Sequence, residues 1–189
     1  MTEREKMLAG QPYDPSDEEL VRDRQRARRV LRHYSESRED EPFERTRLLR
    51  KLFGSCGEKI VIEPVFHCDY GKNIHVGENF YANFGLVMLD CAEIRIGDNC
   101  LVGPHVGFYA ATHSVDPKVR LSGLEEAHPI TIGNNCWIGG HAVINPGVVL
   151  GDNTVVAAGA VVTKSFPQGN VVLAGVPARV VKEIPVEEP

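Results

Sequence analysis

The sequence predicts an all-β solenoid, a parallel β-helix of six-residue rungs preceded by helices. Three observations predict it. An aliphatic residue recurs at Ile132, Ile138, Ile144, Leu150, Val156 and Val162. That period of six is neither the 3.6 of a helix nor the 2 of a half-buried strand. The fourth position after each of the first five is again small or apolar (Cys136, Ala142, Val148, Thr154, Ala160), as a second inward slot requires. Finally, the units GENF, GDNC, GNNC and GDNT follow Val76, Ile96, Ile132 and Leu150, and Gly with Asn suits corners that need positive φ.

The elements follow in chain order. Residues 1–57 read as a helical segment. Ser16 with Glu19 has the spacing of a capping box. Leu20, Ala27, Val30, Leu31 and Tyr34 then form the apolar stripe of a helix ending near Ser35. Pro42 opens a second helix with Phe43, Leu48, Leu49, Leu52 and Phe53 as its apolar residues, and Gly54 and Gly57 end it. Residues 58–181 form the solenoid, with earlier rungs phased on Val76, Ala82 and Met88 and on Ile96, Val102 and Phe108. The step from Met88 to Ile96 is eight residues, so one coil is irregular around Asp90 to Glu93. Residues 114–129 hold two prolines and no register, which predicts an excursion loop thrown out of the stack. After Val162 the period fails and GNVVLAGVPARVVKE covers the end, as a repeat array requires; 182–189 is a C-terminal tail.

Bulk properties narrow the function. Of the 189 residues 42% are apolar and 25% charged, and the net charge of −5 argues against nonspecific nucleic-acid binding. No apolar run approaches the ~20 residues of a membrane span. The charged N-terminus lacks the apolar stretch of a signal peptide, so the expected location is cytoplasmic. The five cysteines form no CxxC pair, which predicts no zinc site, and Cys100 and Cys136 read as small buried hydrophobes. The basic run from Arg22 to Arg32 reads as a solvated helix face.

FYANFG, ATHS, ITIGNNCWIGGHAVINPGV, AAGAVVTKSFP and AGVPARVVKEI occur in that order. As an ordered set they resemble the maltose and galactoside O-acetyltransferases, a branch of the hexapeptide-repeat acyltransferases, over almost the whole chain. The resemblance implies a left-handed coil of triangular section, against the usual right-handed crossover. It implies a homotrimer with active sites between subunits. It also implies direct transfer of an acetyl group from acetyl-CoA to a sugar hydroxyl, with no acyl-enzyme and no metal.

Residue by residue, the resemblance makes His113, in ATHS, the general base. Asp14, Asp69, Tyr81 and Asn83 fall to the acceptor, Asn83 also touching the donor near the reacting centre. Lys164, Arg179 and Lys182 match phosphate and adenosine contacts of coenzyme A, with Thr163 beside them. Gly140 and Ala158 lie on corners along the pantetheine arm, and the Gly140 N–H is a candidate oxyanion donor. Asn83 has a second reading as a corner residue in the left-handed conformation, and Asp14 as a helix cap. Trp137 either packs a subunit contact or lines the coenzyme path. Cys91 stands where the galactoside branch has an acceptor-binding Asp, which favours a maltose- or glucose-type acceptor. Competing readings are a serine or xenobiotic acetyltransferase on the same fold, a non-catalytic scaffold solenoid, and a γ-type carbonic anhydrase. The last needs an H-x4-H ligand pair that the seven histidines do not form.

Overall fold

All six aliphatic residues of the register point inward, none more than 2% exposed, and the second slot is equally buried from Cys136 through Ala160. Thr154, the one hydroxyl in that slot, donates to Gly151 O at 2.7 Å, so its burial leaves no polar group unpaired. The computed structural model describes residues 1–185; residues 186–189 of the expected tail lie outside the described residues.

The chain winds as a left-handed β-helix of about 6 turns with three parallel faces. The first face holds Ile60–Ile62, Phe80–Ala82, Leu101–Val102, Trp137–Ile138, Val155–Val156 and Val171–Ala174. His67–Cys68, Val87–Leu89, Gly107–Tyr109, Val143–Ile144 and Val161–Val162 make the second. Ile74–Val76, Ile94–Ile96, Ile130–Ile132 and Val149–Leu150 make the third.

The corners explain the hand. Asn79, Asn99, Asn135, Asn153 and Asn170, between the third and first faces, all adopt φ of 53–57°, the left-handed region Asn tolerates best among non-glycine residues. Their amides form a ladder: Nδ2 of Asn79, Asn99, Asn135 and Asn153 donates to Oδ1 of the next at 2.8, 3.2, 3.1 and 2.7 Å. Beside it, Oδ1 of Asp98, Asn134 and Asp152 accepts the backbone N–H of Glu78, Asp98 and Asn134 one coil below. Each coil therefore sets the corner of its neighbour.

Helices α1 (Glu3–Leu8), α2 (Glu18–Ser35) and α3 (Pro42–Leu52) precede the coil. Helix α1 was not expected; Thr2 and Glu5 form its capping box. The cap of α2 is Asp17, whose carboxylate accepts from Glu19 N and Leu20 N, and not Ser16. Its stripe is as expected, with Leu20, Ala27, Val30, Leu31 and Tyr34 buried. On α3, Leu48, Leu49 and Leu52 are buried but Phe43, in the first turn, is 91% exposed.

The excursion is more ordered than its composition predicts. It carries a short helix α4 (Pro117–Leu121), capped by Asp116, and returns as Glu126–Ala127. That return segment pairs antiparallel with Ala111–Thr112. Just before it, Glu125 exchanges backbone hydrogen bonds with Tyr13, both at 3.0 Å. At the far end Val171–Ala174 turns back into Arg179–Glu183, an antiparallel strand that closes the solenoid.

Candidate active site

The expected site residues fall on two edges of the second face. Asp69, Cys91, His113, Thr163 and Lys164 lie between the second and third faces, each just after a second-face rung or, for His113, after Ala111–Thr112. Asn83, Gly140 and Ala158 lie between the first and second faces, and Arg179 begins the closing strand above them. Tyr81 is on the outside of the first face, in register between Val61 and Leu101, and Lys182 is opposite Val172 at the top. The second face separates the two edges by roughly 15 Å at ~3.3 Å per residue. One chain does not bring His113 and Asn83 together.

At the lower second–third edge, four side chains converge. The Cys91 thiol approaches Asp69 Oδ2 at 3.5 Å, and the Tyr13 hydroxyl donates to Glu125 Oε2 at 2.8 Å within reach of Cys91. Burial pushes the Asp69 carboxyl above its ordinary value, opposed by the Cys91 thiol, Arg24 and Arg28, and raised further by Glu125. Burial also pushes the Cys91 thiol well up, so it remains a neutral donor. Arg24 reaches in from α2, donating to Tyr70 Oη at 2.7 Å and Pro15 O at 2.6 Å. Asp14 is exposed beside Tyr13, where Ser16 N–H and hydroxyl bind its Oδ1 at 2.8 and 2.6 Å and hold its carboxyl below the usual range. The cap role belongs to Asp17, so the Asp14 carboxylate is only locally anchored.

Tyr13, Arg24 and Glu125 were not singled out from the sequence. Arg24 is one arginine in a basic run, and Glu125 is one of several charges in the excursion. Only the Tyr13–Glu125 pairing, 112 residues apart in the chain, marks them.

Asp90 explains the irregular coil. It is 0% exposed, and its Oδ1 accepts Asp69 N and Tyr70 N at 3.0 and 2.8 Å while Oδ2 accepts Asn73 N at 3.3 Å. Asn73 Nδ2 returns a bond to Asp90 O at 2.7 Å. The two extra residues after Met88 thus build a buried carboxylate that pins the backbone of Asp69.

On the first–second edge the coils approach closely. A Cβ on Gly103 would lie 2.5 Å from Gly140 N, and one on Gly139 would lie 2.5 Å from Ala158 N. The glycines of this edge leave backbone uncovered beside the stacked rings of His105 and His141, whose centroids are 5.0 Å apart. At the corner that carries Asn83, the left-handed residue is Gly85, not Asn83. Asn83 Oδ1 accepts Phe84 N at 2.8 Å, and its amide N–H2 has no protein partner among the described residues. Lys164, Arg179 and Lys182 have no carboxylate within 4.0 Å among the described residues. Lys164 sits over the Phe166 ring at 5.3 Å. Nor does any group of three or more His, Cys, Asp or Glu among the described residues converge as a metal cage.

A left-handed hexapeptide coil with a histidine at the root of its excursion is an arrangement that the hexapeptide-repeat acyltransferases share. Comparisons with known proteins agree. Residues 6–57 match the maltose acetyltransferase hexapeptide capping motif, and 93–107 and 129–164 match the hexapeptide repeat of succinyl-transferase. The crystal structure of a maltose O-acetyltransferase from Clostridium difficile 630 is 48% identical, with a TM-score of 0.97 over 98% of this chain and 99% of that one. A galactoside acetyltransferase in complex with coenzyme A is 42% identical, with a TM-score of 0.92 over 98% of this chain and 92% of that one. The galactoside O-acetyltransferase of Escherichia coli is 45% identical over 97% of this chain and 89% of its own length. The chain belongs to the maltose and galactoside O-acetyltransferase family.

Proposed function

We propose that this protein transfers an acetyl group from acetyl-CoA directly to a hydroxyl of a maltose- or glucose-type sugar, in the cytoplasm, as a homotrimer. The observation that carries the reading is the split of the family's site residues between two edges of one prism. His113 and Asn83 both belong at the reacting centre, and a second copy is what can bring them together. The first face supplies a surface for that copy. Its outward residues Val61, Tyr81, Leu101, Trp137, Val155 and Val172 form one apolar column in register, with Leu101 51% and Trp137 55% exposed. The third face presents His75, Arg95, Thr131 and Val149 at the matching positions, three of the four polar. The second face also turns Val87, Val143 and Val161 outward, but all three are half-buried. The first-face strip exposes Val61, Leu101 and Trp137 by half or more, and an exposed contiguous apolar strip marks an interface.

In the proposed reaction His113 takes the proton of the acceptor hydroxyl as its oxygen attacks the thioester carbonyl carbon. The oxyanion that forms is met by backbone N–H on the glycine edge, Gly140 first. Collapse expels the coenzyme thiolate, which recovers the proton from the imidazolium. Asp69, Tyr81, Asn83 and Asp14 hold the sugar; Lys164, Arg179 and Lys182, lacking carboxylate partners, fit the coenzyme phosphates, with Thr163 beside them.

The test is acetyl-CoA consumption across maltose, glucose, galactosides and serine, with His113→Ala as the blank. Turnover of serine but of no sugar overturns the acceptor class. Lys164→Ala or Arg179→Ala is expected to raise KM for acetyl-CoA about 10-fold with kcat retained, a difference that shrinks in high salt. Sedimentation is expected to give three times the 20.9 kDa chain mass. Leu101→Glu is expected to give an inactive monomer; a fully active monomer contradicts the shared site.

A further inference from the structure

Helix α2 carries Arg26, Arg29 and His33 at i, i+3 and i+7, one face of the helix. Across from them α3 presents Lys51, and between the two helices lies a cavity of about 340 Å³ floored by Val30 and Leu48. The four basic side chains and two aliphatic ones are its whole lining, with no carboxylate. The electrostatics are unusual for a chain of net charge −5. On the same helices Arg22 pairs with Glu18 and Arg47 with Glu44, while Arg24, Arg28, Arg32, Arg45 and Arg50 also lack a carboxylate within 4.0 Å among the described residues. It is the convergence of four cations on one cavity that sets the groove apart. None of the four groove cations has an ion pair among the described residues. A second observation is independent of charge. Arg26 Nη2 donates to Tyr70 O at 2.7 Å, but its Nε is buried with no hydrogen-bond partner.

The geometry points to an anion-binding groove between α2 and α3 that takes the phosphate group of a small phosphate monoester. Two guanidinium forks and an ammonium match several phosphate oxygens at once, which a single carboxylate ligand does not need. The volume is that of a small-molecule site, with room for a sugar-sized body on the apolar floor. The groove is distinct from the coenzyme cations, which lie at the other end of the solenoid.

The experiment is calorimetric titration of the full-length protein, kept saturated with coenzyme A, with glucose 6-phosphate, inorganic phosphate and glucose. The expected result is saturable binding of the phosphate monoester, one per chain, with weaker inorganic phosphate binding and none of glucose. Arg29→Gln/Lys51→Gln, both exposed and safe for folding, is expected to weaken it about 10-fold or more while acetyl transfer is unchanged. Arg38→Gln, whose partner Asp40 lies outside the groove, is expected to leave binding intact. Absence of saturable binding up to about 10 mM, binding unaffected by the double variant, or binding seen only when coenzyme A is left out overturns the site.

Discussion

His113→Ala is expected to lower kcat by about 100-fold or more while leaving coenzyme A affinity within about twofold. The expectation follows from chemistry and position. A sugar hydroxyl stays protonated at neutral pH, so its attack on a thioester needs a base as the bond forms, worth about 10²- to 10⁴-fold. Imidazole is the side chain whose ordinary titration suits that task. His113 follows Ala111–Thr112, a segment clamped by Glu126–Ala127 and, through Glu125, by Tyr13. His113 thus stands on a rim of two paired strands with a bridge to Tyr13, and it is exposed in one chain. The loss should appear in kcat, because the imidazole acts only as charge develops. Steady-state kinetics with a fluorescence titration of coenzyme A checks both halves. A variant that keeps more than a tenth of kcat removes His113 as the base, and one that loses coenzyme A binding assigns it to the donor.

The architecture was readable because the β-helix writes its geometry at short range. Each inward slot recurs six residues on, so the buried set from Ile132 to Val162 could be read without contacts. Corner asparagines announce positive φ by type. The hand was different: nothing in the period distinguishes left from right, and only the ordered motifs carried it. What stayed hidden depends on long-range pairing. Asp90 sits in a predicted irregular step, but its bonds to Asp69 and Asn73 bridge coils, so its structural role was invisible. The Ser16 expectation failed because Asp17, with a stronger acceptor, stands one residue later at the cap position. Phe43 failed because periodicity does not say where the covered surface ends. For the candidate site, the motifs name individual residues as expectations. Their division between two edges emerges only from counting rungs in three dimensions.

Asp90→Ala carries the largest expected stability effect. It strands the N–H groups of Asp69, Tyr70 and Asn73, two of them bound at 3.0 and 2.8 Å and one at 3.3 Å, in a site that excludes water. At about 1 kcal/mol or more per stranded donor the loss is roughly 3 kcal/mol, which lowers Tm by about 10 °C for a chain of this size. The loop that bears Asp69 loosens with it, so acceptor KM should rise in whatever fraction stays folded. Asp90→Asn separates shape from charge. It keeps an oxygen for Asp69 and Tyr70, both of which bind Oδ1, and turns an amide toward Asn73 N–H. Burial pushes the Asp90 carboxyl up to about 7, against the pull of the Tyr70 and Asn73 N–H groups. The folded chain therefore holds a proton between about pH 4 and 7 that the unfolded chain, with an ordinary Asp near ~3.9, has released. Wild-type stability from this group is present in full below that window and falls as pH rises through it. The asparagine variant lacks that slope. Urea midpoints at fixed protein concentration should show wild type ahead of Asp90→Asn at pH 5 and the gap narrowed by pH 8. A gap that widens with pH instead means the ionised carboxylate is the favoured partner of the three N–H groups, and burial is the weaker influence.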